Sequence, residues 1–117
     1  MTREDIITIA TIEDALAAFE PERLPDPDKV WQRASVAMIF AGPAEDPSLC
    51  FIKRADREGD RWSGQMAFPG GRASDGDANP IETAIRETQE EVGIALNAEQ
   101  VIGQLSEEPL HRHGSSF

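Results

Sequence analysis

The segment that says most about the fold of this chain is a predicted helix with three glutamates near its end. Asn79 and Pro80 make a favourable start, because an Asn side chain caps free N–H groups and Pro suits the first helical position. Glu82 stands where a capping-box partner reaches back, and Gly93 suits the left-handed residue that ends a helix. The sequence therefore predicts a helix between Asn79 and Gly93.

The glutamates of this helix stand where helix stability alone would not favour them. Glu87, Glu90 and Glu91 have the spacing at which like charges repel, and they lie in the last turns, where the helix dipole disfavours negative charge. Another side of the helix forms a narrow packing face that consists of Ile81, Ala84, Ile85, Thr88 and Val92. A solvated acidic face explains most charge runs. A divalent-metal site is the alternative that explains why three carboxylates are gathered here.

A glycine-rich turn before the helix favours the metal interpretation. Gly70 and Gly71 follow Pro69, and a residue without a Cβ lets a backbone carbonyl approach a metal or a phosphate closely. Mg²⁺ in proteins is usually held by one or two carboxylates together with substrate phosphate and water. Turn and helix together therefore predict a site for a divalent cation.

Residues 68–94, FPGGRASDGDANPIETAIRETQEEVGI, resemble the Nudix box, written G-x5-E-x7-R-E-U-x-E-E-x-G-U with U aliphatic. Gly71 matches the opening glycine, and Thr88 stands where an aliphatic residue is usual. The spacing from Gly71 to Arg86 is one residue longer than in the motif, and no Glu stands at its middle position. The nearest carboxylate there is Asp77, whose role stays open. The second half of the motif matches in register through Arg86, Glu87, Glu90, Glu91, Gly93 and Ile94.

The resemblance implies a role for each matching residue. Glu87 and Glu91 are expected to be the principal metal ligands, and Glu90 a further ligand or the base that acts on the attacking water. The carbonyl of Gly71 is expected to be a backbone ligand, and Arg86 to pair with a carboxylate and hold the glutamates in place. The implied reaction is Mg²⁺- or Mn²⁺-assisted attack of water on a diphosphate that is linked to another moiety.

The preceding residues 50–71, CFIKRADREGDRWSGQMAFPGG, are similar to the signature of coenzyme A pyrophosphatases, LLTxRSxxxRxxxGxVxFPGG. Arg54, Gly64 and the FPGG run agree, whereas Ala55 and Met66 replace Ser and Val. The similarity implies coenzyme A or a derivative as substrate. Arg54 and Arg61 are expected to contact its phosphates, because Arg recognises phosphate well. The alternative for each is an ordinary surface arginine.

The rest of the chain divides into an N-terminal part, residues 1–30, and a Nudix domain, residues 31–117, with the box at 70–94. Residues 11–20 predict an amphipathic helix that Thr11 caps, that Pro21 ends and that docks on the domain. Apolar runs predict strands at 35–40 and 49–52, joined as a hairpin, and further strands at 65–68 and 101–105. The run at 65–68 is expected to stop at the Pro-Gly-Gly turn.

The resemblance implies an α/β fold, the Nudix-type α/β/α sandwich built around a mixed sheet. Only residues 95–117 follow the box, so we expect the domain to be incomplete at its C-terminus. A bare sheet face with unpaired edges favours association, which brings a homodimer among the expected partners. Two alternatives to a hydrolase stay open: a non-catalytic Nudix-derived module that binds a nucleotide or a partner, and an inactive truncated fragment.

The composition of the chain excludes some classes of partner. Asp and Glu number 22 against 11 Lys and Arg, and the net charge of −11 argues against a nucleic-acid or anionic-membrane surface. The single Cys50 excludes an internal disulfide and fits a reducing compartment. Charged residues interrupt the first twenty positions, which therefore predict neither a signal peptide nor a membrane span. We expect a cytoplasmic protein that acts on a small nucleotide-diphosphate substrate.

Overall fold

A computed structural model describes residues 7–23, 33–54, 58–59 and 64–108. The predicted α/β class is confirmed, because these ranges hold both helices and paired strands. None of the described helices has the length and apolar content needed to cross a membrane. In chain order the elements are α1 (Ile9–Ala17), β1 (Ala34–Val36), β2 (Phe40–Ala41), β3 (Ser48–Leu49), β4 (Ile52–Lys53), β5 (Met66–Ala67), β6 (Gly70–Arg72), α2 (Pro80–Val92) and a 3₁₀ turn (Ala98–Gln100).

Helix α2 has the predicted bounds and the predicted caps. The Asn79 side chain accepts a hydrogen bond from the Glu82 backbone N–H at 2.9 Å. Gly93 has a left-handed φ of 73°, and its N–H donates to the Gln89 carbonyl at 2.9 Å. The Glu82 carboxylate accepts from the Ala78 N–H at 3.0 Å, one residue before the partner that a capping box would use. Local capping chemistry therefore decides where this helix begins and ends.

The strands come from three chain segments, each of which pairs with both of the others. Strand β1 pairs with β6, β2 with β3 and β4 with β5, and all of these pairs are antiparallel. Between the ladders the hydrogen bonding continues, since the Ala37 N–H donates to the Pro69 carbonyl and the Cys50 N–H to the Ile39 carbonyl, both at 2.8 Å. A mixed sheet also requires parallel pairs, and none occurs among the described strands.

This change of partners alters the predicted strands. The run 35–40 is divided between β1 and β2, because its first half pairs with β6 and its second half with β3. The run 49–52 is divided in the same way between β3 and β4. The predicted hairpin between these two runs is confirmed, with Phe40 opposite Leu49.

The third run forms β5 and ends before Pro69, as predicted, but Gly70 and Gly71 then begin a new strand, β6, which pairs with β1. Strand β6 lies so close to β1 that a Cβ on Gly70 would overlap the Ser35 carbonyl oxygen and lie 2.5 Å from the Val36 Cα. A glycine permits this approach. The glycines that were expected to form only a turn are therefore strand residues that pair with β1, with Ser35 opposite Gly71.

The N-terminal helix begins earlier than predicted. Its cap is Thr8 and not Thr11, because the Thr8 hydroxyl oxygen accepts from the Thr11 backbone N–H at 3.1 Å. Docking of this region on the rest of the chain is confirmed, since the Ile9 N–H donates to the Ala44 carbonyl at 2.9 Å.

The predicted strand at 101–105 was wrong, because this segment packs beside α1 and joins no ladder among the described residues. A Cβ on Gly103 would lie 2.9 Å from Cδ1 of Leu16, so the two segments are in close contact. Just beyond, the Glu107 N–H donates to the Glu22 carbonyl and the Glu22 N–H to the Ser106 hydroxyl, both at 2.8 Å.

The most buried side chains of α2 are two threonines. Thr88 is 0% and Thr83 1% exposed, and Thr88 belongs to the predicted packing face whereas Thr83 does not. Val92, also predicted for that face, is 37% exposed. The Thr88 hydroxyl has no hydrogen-bond partner among the described residues. Apart from Pro69, the described residues bury no apolar side chain completely.

Candidate functional site

The guanidinium of Arg86 lies at the centre of the site and uses all five of its N–H donors. Nε and Nη2 donate to the two carboxylate oxygens of Asp77, both at 3.0 Å. Nη2 also donates to the Arg72 carbonyl at 2.9 Å. Nη1 donates to Glu87 Oε2 and to Glu90 Oε1, both at 3.1 Å. Because the guanidinium is a rigid planar fork, these partners together determine its orientation.

Asp77 is the acidic anchor of this arginine. Its Oδ2 also accepts from the Ser74 backbone N–H and from the Thr83 hydroxyl, both at 2.8 Å, and its side chain is only 8% exposed. Hydrogen bonds from Arg86, from the Ser74 N–H and from Thr83 hold the pKa of Asp77 well below its usual range, although burial opposes them. The pair with Asp77 likewise raises the pKa of Arg86. The structure thus pairs Asp77, whose role the sequence left open, with Arg86.

Local structure explains why these groups meet. The loop between β6 and α2 closes on itself, because the Asp77 N–H donates to the Ser74 carbonyl at 2.9 Å while the Asp77 carboxylate accepts from the Ser74 N–H. Thr83 lies in the first turn of α2 and Arg86 lies three residues later, a spacing that places both side chains on one side of a helix. Loop and helix therefore present their polar groups to one another.

The glycine turn receives the other glutamates. A Cβ on Gly71 would lie 2.5 Å from the Cδ and Oε1 atoms of Glu87, so the Glu87 carboxylate lies directly against the backbone of β6. The Gly70 N–H donates to Glu91 Oε1 at 3.1 Å. The structure therefore brings together the predicted residues Gly71, Arg86, Glu87, Glu90 and Glu91.

The donor set fits a divalent cation in its chemistry. Carboxylate and carbonyl oxygens are the ligands that Mg²⁺ and Mn²⁺ prefer, and the missing Cβ of Gly71 leaves room for the Glu87 carboxylate beside a backbone carbonyl. In the described part of the chain, however, no three His, Cys, Asp or Glu side chains converge as a metal-binding group. Glu87 and Glu90 share the Arg86 guanidinium, and Glu91 accepts from backbone.

The structure describes Arg54, one of the two predicted phosphate-binding arginines. The Arg54 N–H donates to the Gln65 carbonyl at 2.8 Å, and its carbonyl accepts from Gly64 at 3.0 Å, so its backbone extends the ladder of β4 and β5. Arg61 lies outside the described residues.

Sequence reasoning missed Thr83, Ser74 and the Arg72 carbonyl as members of the site. A signal existed for Thr83, because its position three residues before Arg86 places both on one side of the helix. No sequence signal was available for Ser74 and Arg72, since they contribute backbone groups whose positions depend on the loop.

Comparison with known proteins agrees with this architecture. Residues 31–115 match the family model of the NUDIX domain. The chain therefore belongs to the Nudix family, whose members generally use divalent metal ions and act on small nucleotide-diphosphate substrates. The predicted family membership is thereby confirmed.

Relatives include uncharacterised Nudix hydrolases named NudL. That of Yersinia pestis (strain Pestoides F) is 34% identical over 113 residues, which cover 87% of this chain and 55% of the relative. That of Yersinia enterocolitica is 46% identical over 61 residues, covering 52% of this chain and 31% of the relative. An uncharacterised protein of Schizosaccharomyces pombe is 39% identical over 104 residues, covering 74% of this chain and 32% of the relative. The chain thus spans between about a third and just over half of the length of these relatives.

Proposed function

We propose that this chain carries the metal-binding and catalytic residues of a Nudix hydrolase that cleaves a diphosphate linkage in a nucleoside diphosphate–X substrate. The observation that carries the proposal is the Arg86 guanidinium, whose donors are all used and which holds Glu87 and Glu90 together. Glutamates at this spacing repel one another. The guanidinium offsets this repulsion, so the glutamates stay close together where a divalent cation can bind them.

Within this proposal Glu87 and Glu91 are the principal metal ligands. Both already contact the glycine turn, whose Gly71 carbonyl would complete the set of protein oxygens. The Glu90 side chain is 58% exposed, so it has room to leave Arg86 and to serve as a further ligand or as the base. A bound Mg²⁺ or Mn²⁺ would lower the pKa of the attacking water and neutralise charge on the diphosphate.

The role of Arg86 is to hold Glu87 and Glu90 in position for metal binding. Its bidentate pair with Asp77 and its bond to the Arg72 carbonyl hold one edge of the guanidinium, which leaves the Nη1 edge for the glutamates. Metal binding can leave these bonds in place, because Nη1 contacts only one oxygen of each carboxylate and the other oxygen can bind the cation. The arginine charge, which remains nearby, also suits a site for an anionic diphosphate.

We propose coenzyme A or a derivative as the substrate, with Arg54 and Arg61 contacting its phosphates. The support is the similarity of residues 50–71 to the coenzyme A pyrophosphatase signature and the affinity of Arg for phosphate. The acidic composition and the single Cys50 support a cytoplasmic protein without nucleic-acid or membrane partners. The exposed large apolar side chains, such as Met66 at 62%, support a homodimer.

The test is a cleavage panel read by mass spectrometry, with coenzyme A, ADP-ribose, NADH, a dinucleoside polyphosphate and dNTPs, in Mg²⁺ or Mn²⁺. We expect metal-dependent cleavage that Glu91→Gln abolishes. The matched control is Glu99→Gln, because Glu99 is an exposed glutamate in the 3₁₀ turn. Turnover that survives in Glu91→Gln refutes the assignment of the site. A ligand that raises the melting temperature without giving product supports the non-catalytic module instead.

A further inference from the structure

A buried threonine hydroxyl contacts the Asp77 carboxylate that pairs with Arg86. The Thr83 side chain is 1% exposed, and its Oγ1 donates to Asp77 Oδ2 at 2.8 Å. The alternative acceptor, the Asn79 carbonyl, is 3.4 Å away. A hydroxyl has a single proton to donate, and a short bond to an ionised carboxylate is the stronger of the two. The Thr83 hydroxyl therefore donates to Asp77 and not to the Asn79 carbonyl.

This bond has a geometric consequence that the bond from the Ser74 N–H lacks. The Ser74 N–H belongs to the loop, so it holds the carboxylate only relative to the loop. Thr83 belongs to α2 itself, one turn before Arg86 and on the same side. Its hydroxyl ties the carboxylate to the helix that also carries the glutamates. The plane of the Asp77 carboxylate is thereby set in the frame of that helix, and a bidentate pair requires this plane to match that of the guanidinium.

We propose that Thr83 is a positioning residue, whose hydroxyl fixes the Asp77 carboxylate so that Arg86 keeps its Nη1 edge on the metal-binding glutamates. The inference rests on the proposed function in so far as those glutamates bind metal. Without the hydroxyl the carboxylate can turn, the bidentate pair loosens, and the repulsion between Glu87 and Glu90 is compensated less well. The glutamates are then less well positioned to bind a metal ion.

The first test needs no metal and uses two variants of the whole chain. Thr83→Val keeps the shape and removes the hydroxyl, whereas Thr83→Ser keeps the hydroxyl. The readout is the Arg86 Nε–H resonance in a metal-free ¹H–¹⁵N spectrum, assigned by its loss in Arg86→Lys. We expect a slowly exchanging resonance in the wild type and in Thr83→Ser, and its loss by exchange with water in Thr83→Val. An unchanged resonance in Thr83→Val, or none in the wild type, overturns the proposal.

The second test is titration of the same proteins with Mn²⁺, with free ion measured by electron paramagnetic resonance. Groups that orient metal ligands typically change affinity by 10–100-fold, so we expect about tenfold weaker binding in Thr83→Val and wild-type binding in Thr83→Ser. Equal weakening in both variants shows that packing and not the hydroxyl matters, and overturns the proposal. If the wild type binds no Mn²⁺ that Glu91→Gln removes, the proposed metal site fails, while the metal-free spectrum still decides the role of Thr83.

Discussion

The two buried threonines of α2 predict opposite outcomes for one and the same substitution. Thr88 is 0% exposed and its hydroxyl has no partner among the described residues, whereas the Thr83 hydroxyl bonds to Asp77. Burying a polar group without a hydrogen bond costs about 1–3 kcal/mol. Val has the shape of Thr with a methyl in place of the hydroxyl, and the two have similar helix propensities. Thr88→Val should therefore raise the free energy of unfolding by about 1–2 kcal/mol, and Thr83→Val should lower it.

The assay is urea unfolding at neutral pH, followed by circular dichroism, on the wild type and on both variants. The same gain should also raise the melting temperature, by about 4 °C per kcal/mol for a chain of this length. The comparison controls for helix propensity and for side-chain volume, because the same substitution is made twice in one helix. A Thr88→Val variant that is destabilised as much as Thr83→Val would falsify the reasoning, since it would show that the Thr88 hydroxyl has a partner.

Three further changes test other contacts. Gly71→Ala should weaken Mn²⁺ binding, because its Cβ would lie 2.5 Å from the Glu87 carboxylate. The control Gly76→Ala should bind Mn²⁺ normally, since no atom lies within 4 Å of the corresponding Cβ. Equal Mn²⁺ affinities of the two variants refute this prediction. Folding lowers the pKa of Asp77, so its contribution to stability is complete above the ordinary carboxyl pKa of 3.8 and is lost as the pH falls towards the lowered value. Asp77→Asn should therefore lose less stability than the wild type between pH 6 and pH 3 (about the range in which carboxylates titrate), measured by urea unfolding; an equal loss contradicts the assignment. Gly103→Ala should loosen the N-terminal helix and speed its proteolysis, because its Cβ would lie 2.9 Å from Leu16; unchanged proteolysis contradicts that packing.

Helix α2 and the gathering of its glutamates could be predicted from the sequence because their signals are local. A cap is decided by residues within one turn, as Asn79 and Gly93 show. Residues one turn apart must lie close together once the helix forms, so the contact of Arg86 with Glu90, four residues later, follows from their spacing.

The strands could not be predicted equally well because their limits depend on partners that are distant in sequence. The run 35–40 is uniformly apolar, yet its pairing changes from β6 to β3 between Val36 and Phe40. The segment 101–105 has the composition of a strand but lies against Leu16. The pairing of Asp77 with Arg86 could be seen only from the loop conformation. Because the spacing from Gly71 to Arg86 is one residue longer than in the motif, the sequence alone could not show which carboxylate reaches Arg86.

In the proposed site Arg86 holds Glu87 and Glu90 beside Glu91, and the three glutamates bind one divalent cation. The most direct measurement is a Mn²⁺ titration of the wild type, of Glu87→Gln and of the exposed control Glu99→Gln. We expect one site in the wild type that Glu99→Gln retains and Glu87→Gln loses. Binding that is equal in all three proteins, or absent from the wild type, would contradict this expectation.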